Sequence, residues 1–345
     1  MSALPNGIQL GPFQIIETIG QGGFGITYHA VDSALRTHVV IKEHLPTSCA
    51  YRAQNGWILP RPGANKEYTE TLTHARNEMR ILQNLRHPNI VRVLQDFEAL
   101  GTFYYVMPWL NAKNLGESCP PPEQMNESWL IPILRSLLNA LGYLHSNKIC
   151  HRDIKPSNIL LLDNKTPIII DFGAAKILVS SQSGFLIEAP GFTPVEQLQN
   201  NGAVGPWSDL YALGASCYKL MTGSAPPRSI DRMAGTAPYI PLKDYPGLTS
   251  RYSEGFINTV EKALQLDHRL RWQSANQWAQ ALPTMEQIPP PPDSTIPFSM
   301  APVPSGAGIP HKLMSTSLAI SLCLTCFFIG ILIGAVCMCL YVVIF

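Results

Sequence analysis

Gly20-Gln21-Gly22-Gly23-Phe24-Gly25 is a GxGxxG run. Glycines at this spacing let backbone amides come close to a phosphate. Such a run opens either a strand–turn–helix dinucleotide fingerprint or a turn between two strands. The next residues, Ile26-Thr27-Tyr28-His29-Ala30-Val31, read as a strand, which favours a flap between strands. Val39-Val40-Ile41-Lys42 follows as a second apolar strand. A lysine ending a strand is ordinarily solvated, but after a glycine flap it can reach nucleotide phosphates. Such a lysine needs a carboxylate to hold it. Glu78, in the helical-looking run Arg76-Asn77-Glu78-Met79-Arg80-Ile81-Leu82, is the candidate. The densest group is His151-Arg152-Asp153-Ile154-Lys155-Pro156-Ser157-Asn158. Asp171-Phe172-Gly173 comes 13 positions after Asn158, behind the apolar strand Ile168-Ile169-Ile170. Each string alone is weak; their order and spacing together point to phosphate chemistry.

The elements that must position these residues divide the chain unequally. Phe13 to Ile19 alternates as a strand does, while Trp129 to His145 repeats Leu130, Ile133, Leu134, Leu137, Leu138, Leu141 and Leu144 at helical spacing. A strand-rich first third before a helix-rich remainder predicts an α+β fold with two unequal lobes. The 345 residues allow about two domains. Lys+Arg 25 against Asp+Glu 24 leaves no basic field for nucleic acid. A hydrophobic content of 46% excludes a mostly disordered chain. Met1 to Gly11 has neither a basic n-region nor an apolar h-region, so no signal peptide is expected.

Cys49, Cys119, Cys150 and Cys217 are scattered without CxxC spacing and read as reduced, mostly buried thiols. Nine of the 30 prolines fall in Pro283–Pro310, which predicts an extended linker over 283–312. From Leu313 to Phe345 there is no charge in 33 positions. That is long enough for one membrane helix, placed at 318–343, because a span needs about 20 apolar residues. Cys323, Cys326, Cys337 and Cys339 lie in this tail, where packing or S-acylation suits them better than metal. Gly330 and Gly334 there have GxxxG spacing, which suggests a homodimer through the span. Lys312, at its edge, agrees with a cytoplasmic start.

Taken together, the motifs resemble the protein-kinase family, in particular the eukaryotic-like Ser/Thr kinases of bacteria. The resemblance covers 13–282 and implies a bilobal fold: a β-rich N-lobe at about 13–107, a hinge at about 108–110 and an α-helical C-lobe at about 111–282. It implies ATP and Mg²⁺ as cofactors and proteins as substrates. Asp153 then accepts or orients the substrate hydroxyl, and Lys155 contacts the γ-phosphate. Asn158 and Asp171 hold Mg²⁺, which prefers hard oxygen ligands. Lys42 pairs with the α/β-phosphates and with Glu78. Gly20, Gln21, Gly22, Gly23, Phe24 and Gly25, flanked by Ile19 and Thr27, cover the nucleotide. Met107 stands at the gatekeeper, and the Pro108 carbonyl and Leu110 amide read the adenine edge.

Other residues extend the resemblance. Glu196 is expected to pair with Arg271, and Asp209 to brace the catalytic loop. The insert after Lys42, from Glu43-His44-Leu45-Pro46, resembles one bacterial branch, and 36 positions from Lys42 to Glu78 is long for the family. Arg152 implies regulation by phosphate in the segment from Asp171 to Glu196, where Ser180, Ser181 and Ser183 are available acceptors. Ala189 stands where the family has a threonine that bonds the catalytic Asp and Lys; Thr193 is the nearby hydroxyl. Together these imply a membrane-tethered, cytoplasm-facing Ser/Thr kinase, with a nucleotide-binding pseudokinase scaffold as the alternative that Ala189 motivates.

Overall fold

The computed structural model describes residues 3–284 except 164, 175, 178–187 and 200–201, together with all but four of their side chains, those of 78, 174, 176 and 177. The N-lobe is built on an antiparallel sheet of six strands. They are β1 (Gln9–Leu10), β2 (Phe13–Gly22), β3 (Gly25–Asp32) and β4 (Thr37–His44), then β7 (Gln95–Ala99) and β8 (Thr102–Pro108), in the order β1-β2-β3-β4-β8-β7. Between β4 and β7 come a hairpin, β5 (Ala50–Arg52) and β6 (Ile58–Pro60), and an 18-residue helix, α1 (Asn65–Leu82). The sheet obeys the two-residue period of a pleated strand. Tyr104 and Val106 of β8 join Ile15, Tyr28 and Ile41 in one core, while Phe103, Tyr105 and Met107 face the other way into the core shared with the C-lobe. β8 is therefore buried on both faces, as its unbroken apolar run requires. Residues ahead of Phe13 also fold onto the sheet: Leu4 and Leu10 are buried, and the Leu4 amide donates to the Tyr28 hydroxyl at 3.1 Å.

The hairpin accounts for the long interval between Lys42 and Glu78. Arg52 on β5 reaches back to Glu43 on β4, whose carboxylate is fully buried and also accepts from the hydroxyls of Tyr28 and Tyr104. A buried carboxylate is tolerated only when its lone pairs are so occupied.

The C-lobe elements are β9 (Lys113–Asn114), α2 (Leu115–Ser118), α3 (Glu127–Ser146), β10 (Ile149–Cys150), β11 (Ile159–Leu161), β12 (Pro167–Ile169) and β13 (Lys176–Ile177). They continue with α4 (Val195–Leu198), α5 (Pro206–Thr222), α6 (Ser229–Met233), α7 (Glu254–Ala263) and α8 (Ala275–Ala281). The long helices are set by their ends. Asn126 caps α3 by accepting from the Trp129 amide at 3.1 Å, and Ser253 caps α7 through the Phe256 amide at 3.2 Å. Buried Glu127 in the first turn of α3 accepts from the Ser253 amide at 2.6 Å and hydroxyl at 3.0 Å, so the starts of α3 and α7 are tied together. Proline opens α5 and Gly223, at φ 86°, closes it in the left-handed region that glycine enters freely. No helix among the described residues is long and apolar enough to cross a membrane; the expected span at 318–343 and nearly all of the linker lie outside them. The four body cysteines are free thiols.

Candidate active site

Asp153, Lys155 and Asn158 meet within one short loop between β10 and β11. The Lys155 ammonium donates to both Asp153 carboxylate oxygens, at 2.9 and 2.8 Å. Asn158 Nδ2 donates to Asp153 Oδ2 at 2.7 Å and to its backbone oxygen at 2.9 Å. That use of the nitrogen leaves Asn158 Oδ1 as the atom suited to a cation. Pairing of β11 with β12 sets Ile159 opposite Ile169, and the Ile170 amide donates to the Asn158 carbonyl at 2.9 Å. Asp171, the next residue, is thereby delivered beside Asn158.

His151 connects these two stretches. Its Nε2 faces the Ile170 carbonyl at 3.1 Å and its Nδ1 faces the Asp153 amide at 3.3 Å. A carbonyl cannot donate, and an amide cannot accept, so the ring carries its proton on Nε2. Burial holds this imidazole below its ordinary pKa, which keeps it in that neutral tautomer. Below the loop lies Asp209, in the first turn of α5 and fully buried. It accepts from the amides of His151 at 2.9 Å and Arg152 at 2.8 Å, and from His145 Nε2 at 2.8 Å. Burial opposes its charge, but these donors outweigh it and keep the carboxyl below its usual range. The brace expected of Asp209 is thus made to backbone amides of the loop, not as a cap of its own helix. Arg152 and Asp171 both have positive φ, 67° and 63°. Non-glycine residues there are uncommon and mark a loop shaped by its surroundings.

Lys42 reaches the same place from the N-lobe. Its ammonium forms an ion pair with Asp171 Oδ1, which also accepts from the Gly173 amide at 3.1 Å. Burial pushes the Asp171 carboxyl up, but the Lys42 charge and the Gly173 amide hold it down at about 2. A Cβ on Gly173 would lie 2.8 Å from Lys42 Nζ and 3.1 Å from Asp171 Oδ1, so a side chain there would crowd this ion pair. Sequence reasoning placed Lys42 against Glu78. Glu78 lies on α1 with its side chain outside those described; among the described side chains, the carboxylate that Lys42 meets is Asp171. Tyr105, directly opposite Lys42 in the β4–β8 register, was not anticipated. It is buried beside the Lys42 ammonium, and its hydroxyl makes no hydrogen bond of normal geometry among the described residues. Burial pushes the phenol up to about 12 although the Lys42 charge opposes it. Only the strand register reveals this residue.

The glycine flap is the tight turn joining β2 and β3, with Gly22 opposite Gly25 and Gly20 opposite Thr27. A Cβ on Gly22 or Gly23 would meet nothing within 4 Å, so the tip has open space. Gly25 differs: a Cβ there would fall 1.9 Å from the Glu43 carbonyl oxygen. The segment after β4 holds the flap. The Thr47 amide and hydroxyl donate to the Gly23 carbonyl at 2.9 and 3.2 Å, and the Leu45 amide donates to Phe24 O at 2.9 Å. Register shifts in β2 leave Ile16 and Ile19 out of the ladder and exposed. In the hinge stretch Met107 is buried, while Pro108 and Leu110 are partly exposed. The donor set of one carboxylate and one carboxamide oxygen fits a hard divalent cation, and the open glycine tip fits a polyphosphate.

The substrate side carries one correction. The Thr193 hydroxyl accepts from the Ala189 amide at 2.8 Å and donates to the Ala189 carbonyl at 3.2 Å. It closes its own loop and does not replace the missing threonine on Asp153 or Lys155. Glu196 and Arg271 form a buried two-point pair, at 2.7 and 3.1 Å, with Ser208 Oγ donating to Glu196 at 2.8 Å. Gln197, also unanticipated, donates to the Arg152 carbonyl at 2.7 Å and links this segment to the catalytic loop. Ser180, Ser181 and Ser183 lie outside the described residues.

A family model described as the protein kinase domain matches residues 13–282. Serine/threonine-protein kinase B of Synechocystis sp. is 31% identical over 302 residues, covering 82% of this chain and 49% of that protein. Serine/threonine-protein kinase PknA of Nostoc sp. is 33% identical over 230 residues, covering 62% and 37%. The solved apo form of PpkA-294 superposes with a TM-score of 0.67 at 33% identity, covering 81% of this chain and 99% of that one. The chain spans about half the length, or less, of the curated relatives it matches. With the family model matching most of its length, this chain belongs to the protein kinase family.

Proposed function

We propose that the chain transfers the γ-phosphoryl group of ATP to serine or threonine hydroxyls of proteins. The contact between Lys42 of the N-lobe and Asp171 of the C-lobe, beside the Asp153–Lys155–Asn158 cluster, carries the reading. Phosphoryl transfer needs positioning and charge stabilisation more than covalent help. Asp153 orients the substrate hydroxyl and takes its proton. Lys155, already at Asp153, turns to the γ-phosphate, and Lys42 holds the α/β-phosphates. Asn158 and Asp171 hold Mg²⁺, which when bound neutralises phosphate charge. Pro108 and Leu110 present backbone groups to the adenine under the Gly20–Gly25 flap. The charge-free tail inserts in the membrane at 318–343 and keeps the catalytic part on the cytoplasmic side, where ATP is supplied. Gly330 and Gly334 pair two copies there.

The test is phosphate incorporation into a basic protein, or into the chain itself, with Mg²⁺ and ATP. Asp153→Asn is expected to lower the rate by roughly 100-fold or more. An undiminished rate in that variant overturns the assignment. Ala189 and the engaged Thr193 favour one alternative, a nucleotide-binding scaffold. Stabilisation by nucleotide with no phosphate transfer would select it. The full chain is expected to remain with membranes after alkaline washing, and a chain ending at Thr284 to be released.

A further inference from the structure

Away from the cleft, on the face of the N-lobe sheet beside the hinge, two histidines meet. His29 of β3 and His38 of β4 sit diagonally across one ladder, where His29 faces Val40 and His38 faces Val31. His29 Nε2 and His38 Nδ1 are 2.8 Å apart. Glu17 Oε1 lies 3.4 Å from His29 Nδ1. The His29 ring stacks on Trp109 at 3.9 Å between centroids and 19° between planes. Trp109 stands in the hinge, and its amide donates to the His38 carbonyl at 3.3 Å. None of this serves phosphoryl transfer.

We propose that His29 and His38 form a binding site for a divalent transition-metal ion of the zinc class, with His29 Nε2 and His38 Nδ1 as its protein ligands. Glu17 accepts the His29 Nδ1 proton and so presents a lone pair on Nε2, the carboxylate–histidine arrangement that orients metal-binding imidazoles. Imidazole nitrogens suit Zn²⁺, Cu²⁺ and Ni²⁺. At present a single proton on His38 Nδ1 joins the rings. The ion takes its place, and His38 carries its proton on Nε2 instead, so no proton is released and the site gains the ion's 2+ charge beside the Glu17 carboxylate. Two nitrogens about 2.0–2.1 Å from one tetrahedral ion lie about 3.3 Å apart. The rings must therefore open by about 0.5 Å and tilt, which His38, exposed on the sheet, has room to do. Water fills the remaining positions, as suits an exchangeable surface ion.

The other group of ligand-type atoms among the described residues is His145, Cys150 and Asp209, all within 4.8 Å of one another. Both Asp209 oxygens already accept hydrogen bonds from the catalytic loop and His145. A metal there would compete with three hydrogen bonds that hold the catalytic loop and His145.

The probe is Zn²⁺, titrated into the purified full chain by calorimetry with tryptophan emission followed alongside. Zinc absorption spectroscopy then counts the neighbours. The expected result is one ion with nitrogen neighbours near 2.0 Å, no sulfur near 2.3 Å, and a change in emission from Trp109. His38→Ala and His29→Gln are each expected to weaken binding at least tenfold, and Glu17→Gln by about tenfold. His38 is exposed, so its variant keeps the fold, which circular dichroism checks. Sulfur in the first shell, or unchanged affinity in His38→Ala, overturns the site. Neither outcome depends on whether the chain transfers phosphate.

Discussion

Two ammonium–carboxylate pairs occupy the cleft, Lys42 with Asp171 and Lys155 with Asp153. Each cation stands on the carboxylate that the proposed reaction assigns to another partner. Bound substrate must therefore exchange ion pairs, and the charges are already partly shielded from water and near their destinations. Tyr105 beside them is a different case. Among the described residues its buried hydroxyl has no hydrogen-bond partner of normal geometry, and an unsatisfied buried polar group costs about 1–3 kcal/mol. Tyr105→Phe is therefore expected to stabilise the unliganded protein by about 1 kcal/mol in denaturant unfolding. A loss of stability would mean that the hydroxyl anchors Lys42. The Glu196–Arg271 pair is the opposite case. Arg271 is fully buried and donates to the carbonyls of Gln265 and Leu266 as well as to Glu196. Breaking a buried pair from one side leaves an uncompensated charge, so Glu196→Ala is expected to cost about 3–5 kcal/mol. A fully exposed pair would cost less than about 1 kcal/mol, and unfolding curves separate the two.

At the scale of elements, the N-lobe depends on β4, which carries Lys42 on one face and Glu43 on the other. His44 ends the strand, buried against Phe103 at 5.0 Å between ring centroids, with Nε2 unpaired among the described residues. Burial, then the charges of Lys42 and Arg76, hold its pKa down at about 4. The unfolded chain binds a proton below about pH 6.5 that the folded chain refuses until about pH 4. Stability is therefore full above pH 6.5 and falls as pH drops through that window, by at most ~1.4 kcal/mol per pH unit. His44→Leu is expected to flatten the slope between pH 6.5 and 4; an unchanged slope would place the proton elsewhere. The strand itself was legible, because Val39-Val40-Ile41 is an apolar run and the flap before it is punctuated by glycine. The hairpin β5–β6 was not. Its strands are three residues each, too short for a period to emerge, and its anchor is a contact between Arg52 and Glu43 that only the fold creates. Tyr105 and Gln197 were hidden for the same reason: strand register and loop approach are not written in local pattern.

For the whole molecule, the two lobes meet at Lys42 and Asp171, residues 129 positions apart in the chain. Motif order alone placed both at the nucleotide, and the structure brings them together as an ion pair. A ligand that binds only the folded state stabilises it by RT ln(1 + [L]/Kd), about 2.7 kcal/mol at a hundredfold excess over Kd. ATP with Mg²⁺ is therefore expected to raise the melting temperature of the parent more than ATP with a chelator. In Asp171→Asn the metal-dependent increment is expected to vanish while the part due to ATP alone remains, since Lys42 and the glycine flap are still in place. Lys42→Met reverses the pattern: the Asp171 carboxylate stays for the cation, but the phosphates lose their ammonium, so both increments shrink. Equal metal dependence in parent and Asp171→Asn would remove Asp171 from the metal site, and with it the reason for the two lobes to close on one triphosphate.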